Sequence, residues 1–156
     1  MPVFSISRTQ RLPISLDQAW DFFSSPLNLR KITPPQLDMR VLSSPESLST
    51  MYAGQVITYT VRPLLGIPLF WMTEITHVTD RRYFVDEQRA GPYSIWHHQH
   101  HFVEIPGGVE MTDIVHYRLP LGPIGALAHG LFVRRQLEGI FDFRYRELER
   151  MFGPMA

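Results

Sequence analysis

Four of the seven histidines fall within five positions of one short run, Ser94-Ile95-Trp96-His97-His98-Gln99-His100-His101-Phe102. Imidazoles this close can ligate a metal, move a proton near neutral pH, or line a half-polar surface. If the run is a strand, alternate side chains leave on opposite faces. His98 and His100 then share a face with Trp96 and Phe102, while His97, Gln99 and His101 take the other. The stretch 109–119 follows across Pro106-Gly107-Gly108. With Gly107-Gly108 as a two-residue turn, Phe102 opposes Asp113, His100 opposes Val115 and His98 opposes Tyr117. The wetter face collects His97, Gln99, His101, Thr112, His116 and Arg118. The inner face collects Trp96, His98, His100, Phe102, Met111, Asp113, Val115 and Tyr117. A three-residue loop at Ala90-Gly91-Pro92 adds Asp86 and Gln88 to that inner face, whereas a two-residue loop would set Asp86 opposite His97.

Three roles for the inner pair follow from its chemistry. His98 and His100 can be polar cavity liners, hydrogen-bonded to Asp113, Asp86 or Tyr117, because buried imidazoles need partners. They can be a general acid/base pair, with Asp113 orienting a ring and Tyr117 donating a hydrogen bond, since a carboxylate and burial move a histidine pKa in opposite directions. With Asp113 or Asp86 they can form a two-histidine, one-carboxylate metal site. The chain has no HExxH and no third inward histidine, so no metal and no cofactor are expected. His98, His100 and Asp113 are the candidate catalytic residues.

The elements that position them are legible in outline. Residues 3–12 alternate as a first strand. Ser15-Leu16-Asp17-Gln18 has the form of a capping box and starts a short helix over about 16–24. Ser25-Pro26 opens a second, which Thr33-Pro34-Pro35 ends. Strands are expected at 37–42, 54–62, 69–79, 82–89, 93–105 and 109–119. After Leu119-Pro120-Leu121-Gly122-Pro123-Ile124-Gly125, a long helix over 126–152 places Leu127, Leu131, Val133, Leu137, Ile140, Phe141, Tyr145, Leu148 and Phe152 on one broad face. The order predicts an α+β fold of one domain over 1–156: a curved antiparallel sheet of about seven strands wrapped around a long C-terminal helix, with two short helices after the first strand. A single helix does not fill such a concavity, so a cavity is expected.

Several runs carry a resemblance: Phe84-x-Asp86-x-Gln88-x-x-Gly91-Pro92-Tyr93, Trp96-x-His98-x-His100-x-Phe102, Asp113-x-Val115-x-Tyr117-x-x-Pro120-x-Gly122, and Val133-Arg134-Arg135 leading to Ile140-Phe141 and Tyr145-Arg146. Over nearly the whole chain the sequence resembles the START-related SRPBCC superfamily, which includes Bet v 1-like proteins and polyketide cyclases. Within it, the chain resembles the bacterial ligand-binding proteins labelled cell-division-inhibitor-like. The resemblance implies the helix-grip fold and a hydrophobic or amphipathic small molecule held between sheet and helix. Some such proteins are cyclases, dehydratases or hydrolases, so fold alone does not assign chemistry.

The expected ligand contacts are Trp71, Phe84, Asp86, Gln88, Trp96, His98, His100, Phe102, Asp113, Val115, Tyr117, Arg134, Leu137 and Phe141. Arg134 either pairs with Glu138 four residues on or points into the cavity to clamp an anionic ligand group. Phe132 and Phe143 on the helix's other side offer a homodimer contact, so a protein-interaction module is a further alternative. The apolar loop Pro63-Leu64-Leu65-Gly66-Ile67-Pro68-Leu69-Phe70 is either a buried corner or a gate over the cavity mouth. Lysine plus arginine and aspartate plus glutamate are both 15, leaving no global field for nucleic acid or an anionic membrane. No run approaches the ~18 apolar residues of a membrane span. With zero cysteines and no recognisable signal peptide, a cytoplasmic protein without stable membrane insertion is expected.

Overall fold

The computed structural model describes residues 2–155, and its elements begin and end where local chemistry directs. Strand β1 (Phe4–Leu12) alternates exposed and buried side chains. Ser15 then caps α1 (Leu16–Phe23): its hydroxyl accepts from the Gln18 N–H at 3.1 Å, and the Gln18 side-chain oxygen accepts from the Ser15 N–H at 3.0 Å. That reciprocal box satisfies two helix-end donors. Pro26 opens α2 (Pro26–Lys31). The strand expected at 37–42 shrinks to β2 (Arg40–Val41), because Pro35–Leu37 form a 3-10 turn that leaves Asp38 in the left-handed region at φ 42°.

Strands β3 (Val56–Val61), β4 (Leu69–Thr79), β5 (Tyr83–Ala90), β6 (Ile95–Ile105) and β7 (Gly108–Arg118) complete one seven-stranded sheet. Its order is β1-β7-β6-β5-β4-β3-β2, with every neighbouring pair antiparallel. Two register shifts in β4, between Met72 and Thr73 and between Ile75 and His77, bend the sheet locally.

The β6–β7 register differs from expectation by two residues. The turn is Pro106-Gly107, not Gly107-Gly108, so His98 opposes Val115, His100 opposes Asp113 and Phe102 opposes Met111. Gly107 has φ 81°, the conformation required after proline in a type II turn. Gly108 is needed for a different reason, since a Cβ there would lie 2.1 Å from the Leu12 carbonyl oxygen. A two-residue slip preserves every side chain's face, so the inner set survives the change of partners. In the preceding hairpin Asp86 opposes His98 and Phe84 opposes His100, which places Asp86 inside and decides between the two alternatives that the loop length left open.

The C-terminal helix is interrupted. Helix α3 (Gly122–Ala128) passes through a wide π turn at His129–Val133 into α4 (Arg134–Phe152). The extra residue in a π turn rotates the upstream stripe by about 100°. Leu127 and Leu131, expected on the apolar face, are accordingly 64% and 65% exposed, while Val133, Leu137, Phe141 and Leu148 are buried. Tyr145, also expected on that face, is exposed. The turn carries His129 inward, where its Nε2 lies 2.7 Å from the Tyr117 hydroxyl and its ring stacks on Phe4.

Two apolar clusters hold the layers together. One joins Trp20 of α1, Phe84, Phe102, Met111 and Leu148, and the other joins Val115, Tyr117, Val133, Leu137 and Phe141. The cavity lies between the inner face of the sheet and α4. Replacing Ser15 with alanine removes the cap of α1, and urea unfolding should register a loss of about 1 kcal/mol with an unchanged m value. An unaltered midpoint would mean the box contributes nothing.

Candidate functional site

Strands β5, β6 and β7 bring two histidines and two aspartates together on the inner face. Asp113 Oδ1 lies 2.8 Å from His98 Nε2 and 3.1 Å from His100 Nδ1. Asp86 Oδ2 lies 2.6 Å from His100 Nε2 and 3.9 Å from His98 Nδ1. The two imidazoles stack at 3.7 Å between centroids, and Phe84 stacks on His100 at 4.0 Å. Residues i and i+2 of a strand stand side by side on one face, which is why the His-x-His spacing produces this stack. His97 and His101 take the opposite face: His97 approaches Glu87, and His101 approaches Gln99.

The geometry distinguishes the two rings. Both nitrogens of His100 face carboxylates, an arrangement that the doubly protonated imidazolium satisfies. Burial alone would lower its pKa, but hydrogen bonds to Asp113 and Asp86 outweigh this and raise it. His98 is 5% exposed and has one close carboxylate contact. Burial, reinforced by the neighbouring His100 charge, depresses its pKa. Burial opposes ionisation of both aspartates, yet the histidine hydrogen bonds hold Asp86 low and Asp113 well below the usual carboxylate range. The arrangement therefore favours the charged carboxylates and the protonated form of His100, and disfavours protonation of His98.

The pair faces a cavity of about 340 Å³. From the sheet come Tyr59, Trp71, Ile75, Phe84 and Trp96, and from α4 come Leu137, Ile140 and Phe141. Asp86, His98 and His100 form a polar sector of the wall beside Thr73 and Arg144. Thr73 Oγ1 receives the Trp71 indole N–H at 3.0 Å and lies 2.8 Å from the Tyr59 hydroxyl. Burial pushes the Tyr59 pKa up and keeps it neutral. The β3–β4 loop borders the cavity through Pro63 and Leu64 and is tied to α4 by Gln136 Nε2 donating to the Pro63 carbonyl at 2.6 Å. Leu65 and Ile67 at its tip are exposed, so this loop is a rim rather than a buried corner.

Of the expected contacts, Trp71, Phe84, Asp86, Trp96, His98, His100, Leu137 and Phe141 line this cavity. Phe102 and Asp113 instead face a smaller one of about 120 Å³, which shares His100, Phe141 and Arg144 with the first. Val115 and Tyr117 are committed to the second apolar cluster. Gln88 closes the β5–β6 hairpin, its Nε2 donating to the Tyr93 carbonyl at 2.6 Å and its Oε1 accepting from the Tyr93 N–H at 2.9 Å. Arg134 points outward and donates to Glu138 at 3.1 Å. Phe132 belongs to the cavity wall, whereas Phe143 lines a neighbouring groove with Leu37 and Gly139.

Arg144 is the cavity arginine that the sequence reading passed over. Leu137, Phe141, Arg144 and Leu148 fall at helical offsets of four, three and four residues, so the signal was a charge inside the apolar stripe. Tyr59 and Thr73 were also missed, because strand alternation alone does not say which inner positions meet a cavity.

Asp86, His98 and His100 each present one ligand atom, all within 4.8 Å of one another. Their types suit a transition metal, but His100 is already held between two carboxylates through both ring nitrogens. A cation would have to displace those bridging protons. The arrangement suits proton binding and transfer better than metal coordination.

Neither a protein-family model nor a curated protein sequence matches the chain. Solved structures do match. A protein from Chromobacterium violaceum superposes with a TM-score of 0.71 at 11% identity, over 97% of this chain and 98% of that one. A START superfamily protein from Mycobacterium smegmatis gives 0.68 at 12% identity, over 94% and 98%. Ginseng major latex-like protein 151 from Panax ginseng gives 0.68 at 11% identity, over 97% and 99%. At these identities the likeness establishes the helix-grip fold common to START and Bet v 1-like proteins.

The two inner histidines should titrate on opposite sides of the free value near 6.5. Side-chain 15N NMR should find His98 below it and His100 above it; two coincident titrations at the free value would overturn the assignment. The linkage signs follow. Stability contributed by protonated His100 is fully present below about 6.5 and is lost as pH rises through its raised folded value. Neutral burial of His98 acts oppositely, weakening the fold as pH falls from about 6.5 through its depressed value.

Proposed function

We propose that this chain binds a hydrophobic or amphipathic small molecule, lipid- or polyketide-like, in the cavity between the sheet and α4. The supporting observation is the cavity itself: about 340 Å³, walled chiefly by aromatic and aliphatic side chains, with its polar groups gathered in one sector. That distribution matches small-molecule sites, where apolar contact supplies affinity and a few polar groups set orientation. Each methylene moved from water into such a wall contributes roughly 0.8 kcal/mol. The rim loop 63–70 would admit the ligand. No helix among the described residues is long and apolar enough to cross a membrane. A cytoplasmic site of action is part of the proposal, in keeping with a cysteine-free sequence.

A second reading, an enzyme of cyclase or dehydratase type, draws support from the two stacked imidazoles. His98, whose protonation burial disfavours, is suited to accept a proton only transiently, and His100, whose protonated form two carboxylates favour, to hold one, with Asp113 bridging them at 2.8 and 3.1 Å. Paired groups with pKa values displaced in opposite directions are the usual arrangement for acid/base chemistry beside a carbonyl.

Native mass spectrometry of the purified protein should reveal a co-purified apolar molecule, and methyl parinarate should gain fluorescence on entering the cavity beside Trp71 and Trp96. A protein that always emerges empty and enhances no apolar probe would sink the binding proposal. For the catalytic reading, the recovered ligand is incubated with protein in D2O. Deuterium uptake next to a carbonyl should vanish in His98→Ala while binding persists. Absence of exchange with the wild-type protein removes that reading.

A further inference from the structure

Eight other arginines form ion pairs with carboxylates. Arg144 appears in none of the ion pairs among the described residues, although it lines the cavity. Its Nε is the one buried side-chain polar atom among those residues with no hydrogen-bond partner. The guanidinium carbon stands 5.0 Å from the centre of the Phe141 ring, whose face supports the cation without using its N–H donors. Neighbouring carboxylates do not meet that need. Asp86 and Asp113 are engaged by His100 and His98 at 2.6 to 3.1 Å.

A buried donor left unpaired is an exception in folded proteins and calls for a partner. A planar guanidinium fork matches the spacing of two oxygens on a carboxylate, phosphate or sulfate. Beyond the polar sector that Arg144 shares with Asp86, His98, His100 and Thr73, the cavity walls are chiefly apolar, with Trp71, Leu137 and Ile140 among them. We infer that Arg144 is the headgroup-recognition residue of this cavity, and that the ligand is an amphipathic anion whose charged oxygens meet the guanidinium while its apolar body lies against the aromatic and aliphatic walls. This rests on the binding proposal above and sharpens it from an amphipathic molecule in general to one bearing an anionic oxygen head.

The test compares cis-parinaric acid with its methyl ester, which share a chain and differ in charge. At pH 7.5 the wild-type protein should bind the acid at least about tenfold more tightly than the ester. In Arg144→Gln the ratio should fall to about one, chiefly through weaker acid binding; Arg144→Lys, which keeps the charge but loses the fork, should fall between. Displacement of the ester by dodecanoate, dodecyl phosphate and dodecanol extends the test, with both anions outcompeting the alcohol and their order identifying the preferred head.

Equal wild-type affinities for acid and ester overturn the inference while leaving the binding proposal intact, and this comparison needs no variant to fold. An equal weakening of both probes in Arg144→Gln would mean that Arg144 only balances the charge of Asp86 and Asp113, and also overturns it. If neither probe binds the wild-type protein, the binding proposal fails and the inference falls with it.

Discussion

The concave face of the sheet has to be covered, and one helix cannot fill it. Seven antiparallel strands bent by the irregularities in β4 present alternating inner residues over a width greater than the roughly 10–12 Å diameter of an α-helix. Val133, Leu137 and Phe141 close one part of the gap by packing on Val115 and Tyr117. Helix α1 closes another, setting Trp20 edge-on to Phe84 and Phe102. What neither covers is the cavity. Its position follows from the geometry of helix on sheet, and its chemistry follows from whichever inner side chains lie beneath the uncovered part.

Those side chains include a charged cluster that an apolar wall would not otherwise tolerate. Taking ionised carboxylates out of water is costly unless each is paired and hydrogen-bonded. Here the two aspartates and two histidines answer one another across three adjacent strands. The same pairing gives adjacent imidazoles different proton affinities, because His100 is held between two carboxylates while His98 is more deeply buried and has one close carboxylate partner. Such a cluster can orient a ligand's polar group or exchange protons with it. Arg144 adds a cation at the junction of the two cavities, so the polar sector contains charge of both signs while the opposite walls remain apolar.

Much of this could be read from residue order. The Ser15–Gln18 box, Pro26 at a helix start and the alternation through β5, β6 and β7 place the elements by local stereochemistry. The period-two pattern also separates His98 and His100 from His97 and His101, and it does so even with the wrong turn, since a slip of two residues leaves each face unchanged. The turn itself was ambiguous because Pro106-Gly107-Gly108 offers two overlapping choices. The decision rests on Gly107 at φ 81° and on the close passage of the Leu12 carbonyl past Gly108, and the second of these is a contact between strands distant in sequence.

By itself, then, the sequence determined the α+β order of elements, the inward pair His98 and His100, and the inner placement of Asp113, because these depend on periodicity and short-range turn chemistry; the face of Asp86, which hung on the length of the β5–β6 loop, was left to the strand register. Only the tertiary structure decided which aspartate oxygen meets which imidazole nitrogen. It also turned Arg134 outward and Arg144 inward, directed Gln88 to a hairpin and rotated Leu127 and Leu131 to the surface through a π turn. Those outcomes depend on helix phase relative to a distant sheet. A helix's phase is set by what it packs against, and that partner lies far away in the chain.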